Sequence, residues 1–252
     1  MSEKKAALDT MASRKLKILA LHGYRQSGEI FRIKTGSFRK LVKNLADFTY
    51  ITAPHKVLNL ITNDGSEPAD ETADNGYSWW FNRDDLTFKG SREGGPAIGF
   101  QESVEYVESV FKEHGPFDGI LGFSQGASFA SLLCYLVSKN LTPINFHFAI
   151  LASGFKSGSI PHMKYYGQPI CIPSLHIFGE NDQIIPKEMS LTLKKEFVSD
   201  EFDPIEVLHD GGHFLPANSI LKPAYIKFLK LMLLQIQEKD KQSFSTSPAN
   251  SL

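Results

Sequence analysis

The run Phe117-Asp118-Gly119-Ile120-Leu121-Gly122-Phe123-Ser124-Gln125-Gly126-Ala127 decides how this chain folds. Its first half is short and apolar, as a buried strand is, and residues 127–138 carry the apolar content of a helix. Between them, Gly122-x-Ser124-x-Gly126 has to turn the chain sharply. Glycines at 122 and 126 remove Cβ atoms where a tight strand-to-helix turn would clash, so Ser124 can sit strained at the tip. Three fixed positions are not specific by themselves. The rest of the chain has to supply what a serine placed there would need.

Working outward, short apolar runs alternate with amphipathic stretches. Strands are expected at 16–21, 48–52, 117–121, 146–152, 174–178 and 205–208, and helices at 30–45, 98–113, 127–138, 187–198 and 224–237. Near-continuous apolar strands alternating with helices indicate a mostly parallel sheet covered on both faces. Residues 15–238 are read as one domain. A polar leader, 1–14, and a serine-rich tail, 239–252, contain too little apolar surface to pack and are expected to be disordered. Residues 56–95 break the rhythm. This polar, glycine-bearing excursion carries Tyr77-Ser78-Trp79-Trp80-Phe81, and long insertions inside compact domains are usually functional or disordered. The aromatics either pin the excursion to the core or line a substrate pocket as part of a lid; Trp79, Trp80 and Phe81 are taken as candidate pocket residues.

Composition narrows the function classes. The chain has 252 residues, 42% hydrophobic and 22% charged, with a formal net charge of −1. Interspersed charge of both signs gives no basis for nucleic-acid binding. Two cysteines, Cys134 and Cys171, exclude a disulfide framework and fit a reducing compartment. No apolar run approaches the ~20 residues of a membrane span, and no signal-peptide core opens the chain. A cytoplasmic protein with no obligatory protein partner is expected. No H-E-x-x-H or closely spaced ligand set appears, so no metal is expected.

A serine hydroxyl at neutral pH is a poor nucleophile unless a base accepts its proton and a carboxylate orients that base. Following a strand–turn–helix serine, these partners come in the order Ser, Asp or Glu, His. Of the eight histidines, His22, His55 and His114 precede the serine; His147 and His176 lie in apolar strands; His162 is in a polar loop away from a strand end. His209 and His213 remain. His213 stands in the glycine-rich loop Asp210-Gly211-Gly212-His213, able to carry an imidazole over the sheet edge, and is preferred to His209. The acid belongs after the preceding strand, in Gly179-Glu180-Asn181-Asp182-Gln183-Ile184-Ile185-Pro186. Asp182 is preferred, with Glu180 in reserve; Asp203 and Asp210 are more poorly placed. The pattern is that of an α/β-hydrolase. An oxyanion would be met by the backbone N–H of Gln125, and by that of Tyr24 in the loop His22-Gly23-Tyr24 after the first strand.

Four blocks together resemble the FSH family of serine hydrolases: residues 21–28, 115–127, 178–186 and 211–216. Lys34-Thr35-Gly36 and Trp79-Trp80-Phe81 look closest to its ovarian-cancer-associated esterase branch. The resemblance runs from about Lys15 to Gln237 and implies a sheet of six or seven strands, no cofactor, and hydrolysis of carboxylic esters, with long alkyl chains as preferred substrates. It carries nucleophile, acid and base onto Ser124, Asp182 and His213. Two other readings stand beside it: a thioesterase or depalmitoylase-like activity at the same site, and a non-catalytic small-molecule binding module on a hydrolase fold.

Overall fold

A computed structural model describes residues 14–58, 76–198 and 203–246. Six strands form one parallel sheet: β1 (Leu16–Leu21), β2 (Ala46–Ile51), β5 (Gly119–Phe123), β6 (Phe148–Ala152), β7 (Ser174–Gly179) and β8 (Ile205–His209), in the order β2-β1-β5-β6-β7-β8. Every residue of β5, β6 and β7 is buried, whereas the edge strands β2 and β8 mix buried with exposed positions. That contrast explains the unbroken apolar runs: an inner parallel strand has no solvent face.

The side chains of β1 alternate between two cores. Leu19 and Leu21 point to one that includes α3 (Phe100–His114) and α4 (Gln125–Ser138). Leu16, Ile18 and Ala20 point to the other, which includes α1 (Gly28–Lys34), α2 (Gly36–Val42) and α6 (Lys222–Thr246). Helix α4 is buried from Gln125 to Leu136, which is why it reads as apolar all round. Helix α5 (Lys187–Lys194) adds Leu193 to the first core.

After β1 the chain goes to β2 on one side and later returns to β5 on the other. This reversal makes the crevice between the carboxyl ends of β1 and β5 the topological switch point, where open α/β sheets place their sites. Leu21 is paired with Gly122, so the loop after β1 lies beside the turn that carries Ser124.

Three expectations are corrected. The helix at 30–45 is two helices, broken at Thr35, whose hydroxyl donates back to the Phe31 carbonyl at 2.7 Å and also meets the Tyr50 hydroxyl at 2.6 Å. The tail does not begin at 239: α6 continues to Thr246, since residues 237–242 (Gln-Glu-Lys-Asp-Lys-Gln) are mostly good helix formers and extension of an existing helix is easy. Arg14, assigned to the leader, is tied to Asp118 by two hydrogen bonds of 3.0 and 3.2 Å. The rest of the leader, the tail from 247 and the excursion from 59 to 75 lie outside the described residues. At the entry to the excursion, β3 (His55–Lys56) pairs antiparallel with β4 (Tyr77–Ser78), which lies midway along it.

Candidate active site

Ser124 has φ 53° and ψ −118°, a left-handed conformation that a serine adopts only under constraint. The constraint comes from both sides. Its N–H donates to Ala152 O at 2.8 Å, and its carbonyl accepts from Ala127 and Ser128 N–H at 3.0 Å each, starting α4. The flanking glycines are required by contact: a Cβ on Gly122 would overlap the backbone of Gly126 and Ala127, and one on Gly126 the carbonyls of Leu21 and His22.

Loops after three different strands bring three side chains together. His213 Nε2 lies 2.9 Å from Ser124 Oγ, and His213 Nδ1 lies 2.7 Å from Asp182 Oδ2. With Nδ1 donating to the carboxylate, Nε2 is left to accept from the serine hydroxyl. Asp182 Oδ1 is held by the N–H groups of Ile184 and Ile185, each at 2.9 Å. Asp182 therefore makes a local turn through one oxygen and orients the imidazole through the other. Burial by itself would raise its pKa, but the Ile185 amide, His213 and the Ile184 amide outweigh it, and the carboxyl is held below the usual range. The loops after β7 and β8 are tied to each other: Glu180 N–H donates to His209 O at 2.7 Å, Asn181 N–H to Gly211 O at 3.1 Å, and Asn181 Nδ2 to Asp210 O at 2.6 Å.

The competitors are engaged elsewhere. Glu180 pairs with Lys187. His209 is buried, its Nδ1 accepts from Gly211 N–H at 3.2 Å, and burial lowers its pKa. His22 holds the first loop: Nδ1 donates to Gly23 O at 2.7 Å while Nε2 accepts from Ala53 N–H at 2.9 Å. Burial lowers its pKa to about 4 despite the Gly23 bond, so it is neutral at pH 7. Gly23 lies against the nucleophile turn, where an added Cβ would come 3.3 Å from Ser124 Cβ. Tyr24 follows Gly23 in this loop, and Gln125 directly follows Ser124 as the first residue of α4. Among the described residues, no group of three or more His, Cys, Asp or Glu side chains could hold a metal ion.

Ser124 and His213 open onto a cavity of about 970 Å³. Its walls are largely aromatic and aliphatic, with Phe31, Phe88, Phe123, Phe155, Ile185 and Leu215 contributing. Phe214 and Ile184 also line it while remaining largely solvent-exposed, so they mark the mouth. Trp79, Trp80 and Phe81 do not line it, and this corrects the pocket assignment. Trp79 and Trp80 are 0% exposed and Phe81 4%; Trp79 stacks on Phe129 with centroids 4.9 Å apart and planes 14° apart. Trp80 stands edge-on behind Phe88 at 5.1 Å. Of the two readings, the tryptophans pin the excursion to the core, because their large apolar surfaces find a dry packing partner in α4. Among the described residues, the excursion's contribution to the cavity is residues 88–91, which the sequence pattern did not single out. A single phenylalanine among Asp84-Asp85-Leu86-Thr87-Phe88-Lys89-Gly90 was the available signal.

A family model described as serine hydrolase (FSH1) matches residues 11–224. Esterase CG5412 of Drosophila melanogaster is 48% identical over 240 residues, covering 95% of this chain and 82% of that protein. Esterase OVCA2 of Danio rerio is 43% identical over 229 residues, covering 87% of this chain and 99% of that protein. Among solved structures, esterase PE8 superposes with a TM-score of 0.57 at 18% identity, covering 87% of this chain and 94% of that one; a likeness at that identity speaks for the fold.

Proposed function

This chain belongs to the FSH1 family of serine hydrolases and is a serine ester hydrolase; on that premise we propose that Ser124 is its nucleophile, His213 its base and Asp182 the orienting acid. The observation that carries the assignment is the unbroken line of hydrogen bonds from Ser124 Oγ through His213 to Asp182. As Ser124 Oγ attacks the ester carbonyl, its proton passes to His213 Nε2. Asp182 keeps the other ring nitrogen as donor and stabilises the imidazolium that forms. The carbonyl oxygen, now negative, is met by the N–H of Gln125, which also lies at the positive end of α4, and by the N–H of Tyr24. The tetrahedral intermediate collapses to an acyl-enzyme, and His213 returns the proton to the departing alcohol. Water then repeats the sequence on the acyl-enzyme and frees the acid.

The aromatic and aliphatic walls fit an ester bearing an apolar acyl or alkyl chain. Nucleophile, base, acid and both N–H donors come from one chain, so the reading needs no protein partner. Two free cysteines, Cys134 buried and Cys171 exposed, support a reducing, cytoplasmic setting, and among the described residues no helix is long and apolar enough to cross a membrane. Turnover of a medium-chain 4-nitrophenyl ester by the wild type should vanish in Ser124→Ala, and undiminished turnover would refute the assignment. Asp182→Asn should lower kcat on the order of 10⁴-fold with the fold intact, since it disrupts the tautomer; a loss under tenfold would remove Asp182 from the role.

A further inference from the structure

The two N–H groups read above as oxyanion donors lie on separate elements, Tyr24 in the loop after β1 and Gln125 at the start of α4. A single segment of the excursion is bonded to both. On the β1 side, Arg25 N–H donates to Tyr77 O at 3.0 Å, Tyr77 N–H to Gln26 O at 2.8 Å, and the Trp79 indole N–H to His22 O at 2.8 Å. On the α4 side, the contact is the side chain of Gln125 itself, 0% exposed. Its Oε1 accepts from Trp79 N–H at 3.0 Å, and its Nε2 donates to Trp80 O at 2.8 Å and to Ser78 Oγ at 3.1 Å. Ser103 Oγ on α3 donates to Trp79 O at 2.6 Å, and the Trp79 ring lies on Phe129 of α4.

A buried primary amide is costly unless its donors and acceptor are all engaged, and here they are. An apolar side chain would fill a core position more simply. The amide instead stands on the residue whose own N–H faces the reacting carbonyl, and it grips the segment that also grips the opposite donor's loop. We propose that residues 77–80 form a brace that sets the spacing of the oxyanion donors, with the Gln125 side chain and the Trp79 indole as positioning residues. The proposal rests on the reading of Tyr24 and Gln125 as donors. Its chemical logic is that such donors act only when they stand about 2.7–3.1 Å from the developing oxyanion, and a misplacement near 1 Å costs on the order of a hundredfold.

Two variants test it. Trp79→Phe removes the bond to His22 O and keeps a ring on Phe129. Gln125→Met keeps length and backbone N–H but releases Trp79 N–H, Trp80 O and Ser78 Oγ. The brace predicts that kcat falls roughly tenfold in Trp79→Phe and about a hundredfold in Gln125→Met, each with KM within about twofold. Affinity for a trifluoromethyl ketone, which forms the tetrahedral adduct, should fall in step with kcat/KM, while the pH–rate profile keeps its inflections because His213 and Asp182 are untouched. Folded variants with wild-type kcat, or with reduced kcat and unchanged ketone affinity, would overturn the proposal. If Gln125→Met does not fold, Trp79→Phe alone decides. Ser124→Ala, assayed alongside, separates the two levels. An inactive Ser124→Ala beside fully active brace variants defeats the brace alone, whereas an active Ser124→Ala defeats the reading of the site beneath it.

Discussion

Residues 77–81 and residues 88–91 belong to one excursion, lie a few positions apart and both carry aromatic side chains, yet they have opposite fates. The first arm is buried. Its backbone pairs with His55 and Lys56, bonds to the loop after β1, and meets Gln125. The second arm presents Phe88, half-buried, to the cavity and is held by the Asn82 side chain, which accepts from Lys89 N–H at 3.0 Å and donates to Lys89 O at 2.9 Å. What separates them is where the backbone's hydrogen bonds go. An arm whose backbone is bonded to core elements can bury its rings completely. An arm clamped to itself leaves its ring on the surface of the cavity.

The sharpest break of that contrast comes from truncating the buried rings. Trp80→Ala is expected to destabilise the protein by about 3–5 kcal/mol, as loss of a fully packed large side chain does. Denaturant unfolding measures it, and a change below about 1 kcal/mol would make Trp80 a wall residue after all. Phe88→Ala should cost less stability than Trp80→Ala, since its ring is only half-buried. Its kcat/KM should drop roughly tenfold for a long-chain ester and hardly at all for an acetyl ester. An equal loss on both esters would show that Phe88 does not contact the chain.

The smallest expected effect is a pH dependence confined to the buried arm. His22 lies against Trp79, with ring centroids 5.3 Å apart, and His162 against Trp80 at 5.4 Å. Burial lowers the pKa of His22 to about 4 and that of His162 to about 3, in the latter case with Lys164 adding to the shift. In the unfolded chain both titrate near 6.5, so on acidification the unfolded state binds protons first. Their contribution to stability is whole above pH 6.5 and is lost as pH falls toward 4 and 3. The chain's two tryptophans both sit in this arm, so their fluorescence reports on it alone. Emission should shift to longer wavelength over that window, and His22→Gln should flatten the change. Constant emission down to pH 3 would contradict the assignment.

The same distinction explains what could be read from sequence. The residues that meet at the site were legible because chemistry and sterics fix residue types: glycine at 122 and 126, a serine between them, an acid after β7 and a histidine after β8. Asp182 stood apart from Glu180 in sequence by a short side chain at the loop's crest ahead of Pro186, and His213 from His209 by a glycine loop able to reach where a strand end cannot; in the structure Asp182 and His213 meet, while Glu180 pairs with Lys187. The fate of Trp79, Trp80 and Phe88 was not legible, since a ring looks the same in sequence whether its partner is a helix or a substrate. The break at Thr35 and the extension of α6 to Thr246 were hidden for a related reason. Each depends on a few local hydrogen bonds superimposed on a periodicity that does not change.

If chemistry begins at the turn held by Gly122 and Gly126, peptide mapping after reaction with a fluorophosphonate will locate it. One adduct per chain is expected, on the peptide containing Ser124, absent from Ser124→Ala and much slower to form in His213→Ala. An adduct on another residue, or labelling that persists in Ser124→Ala, would contradict it.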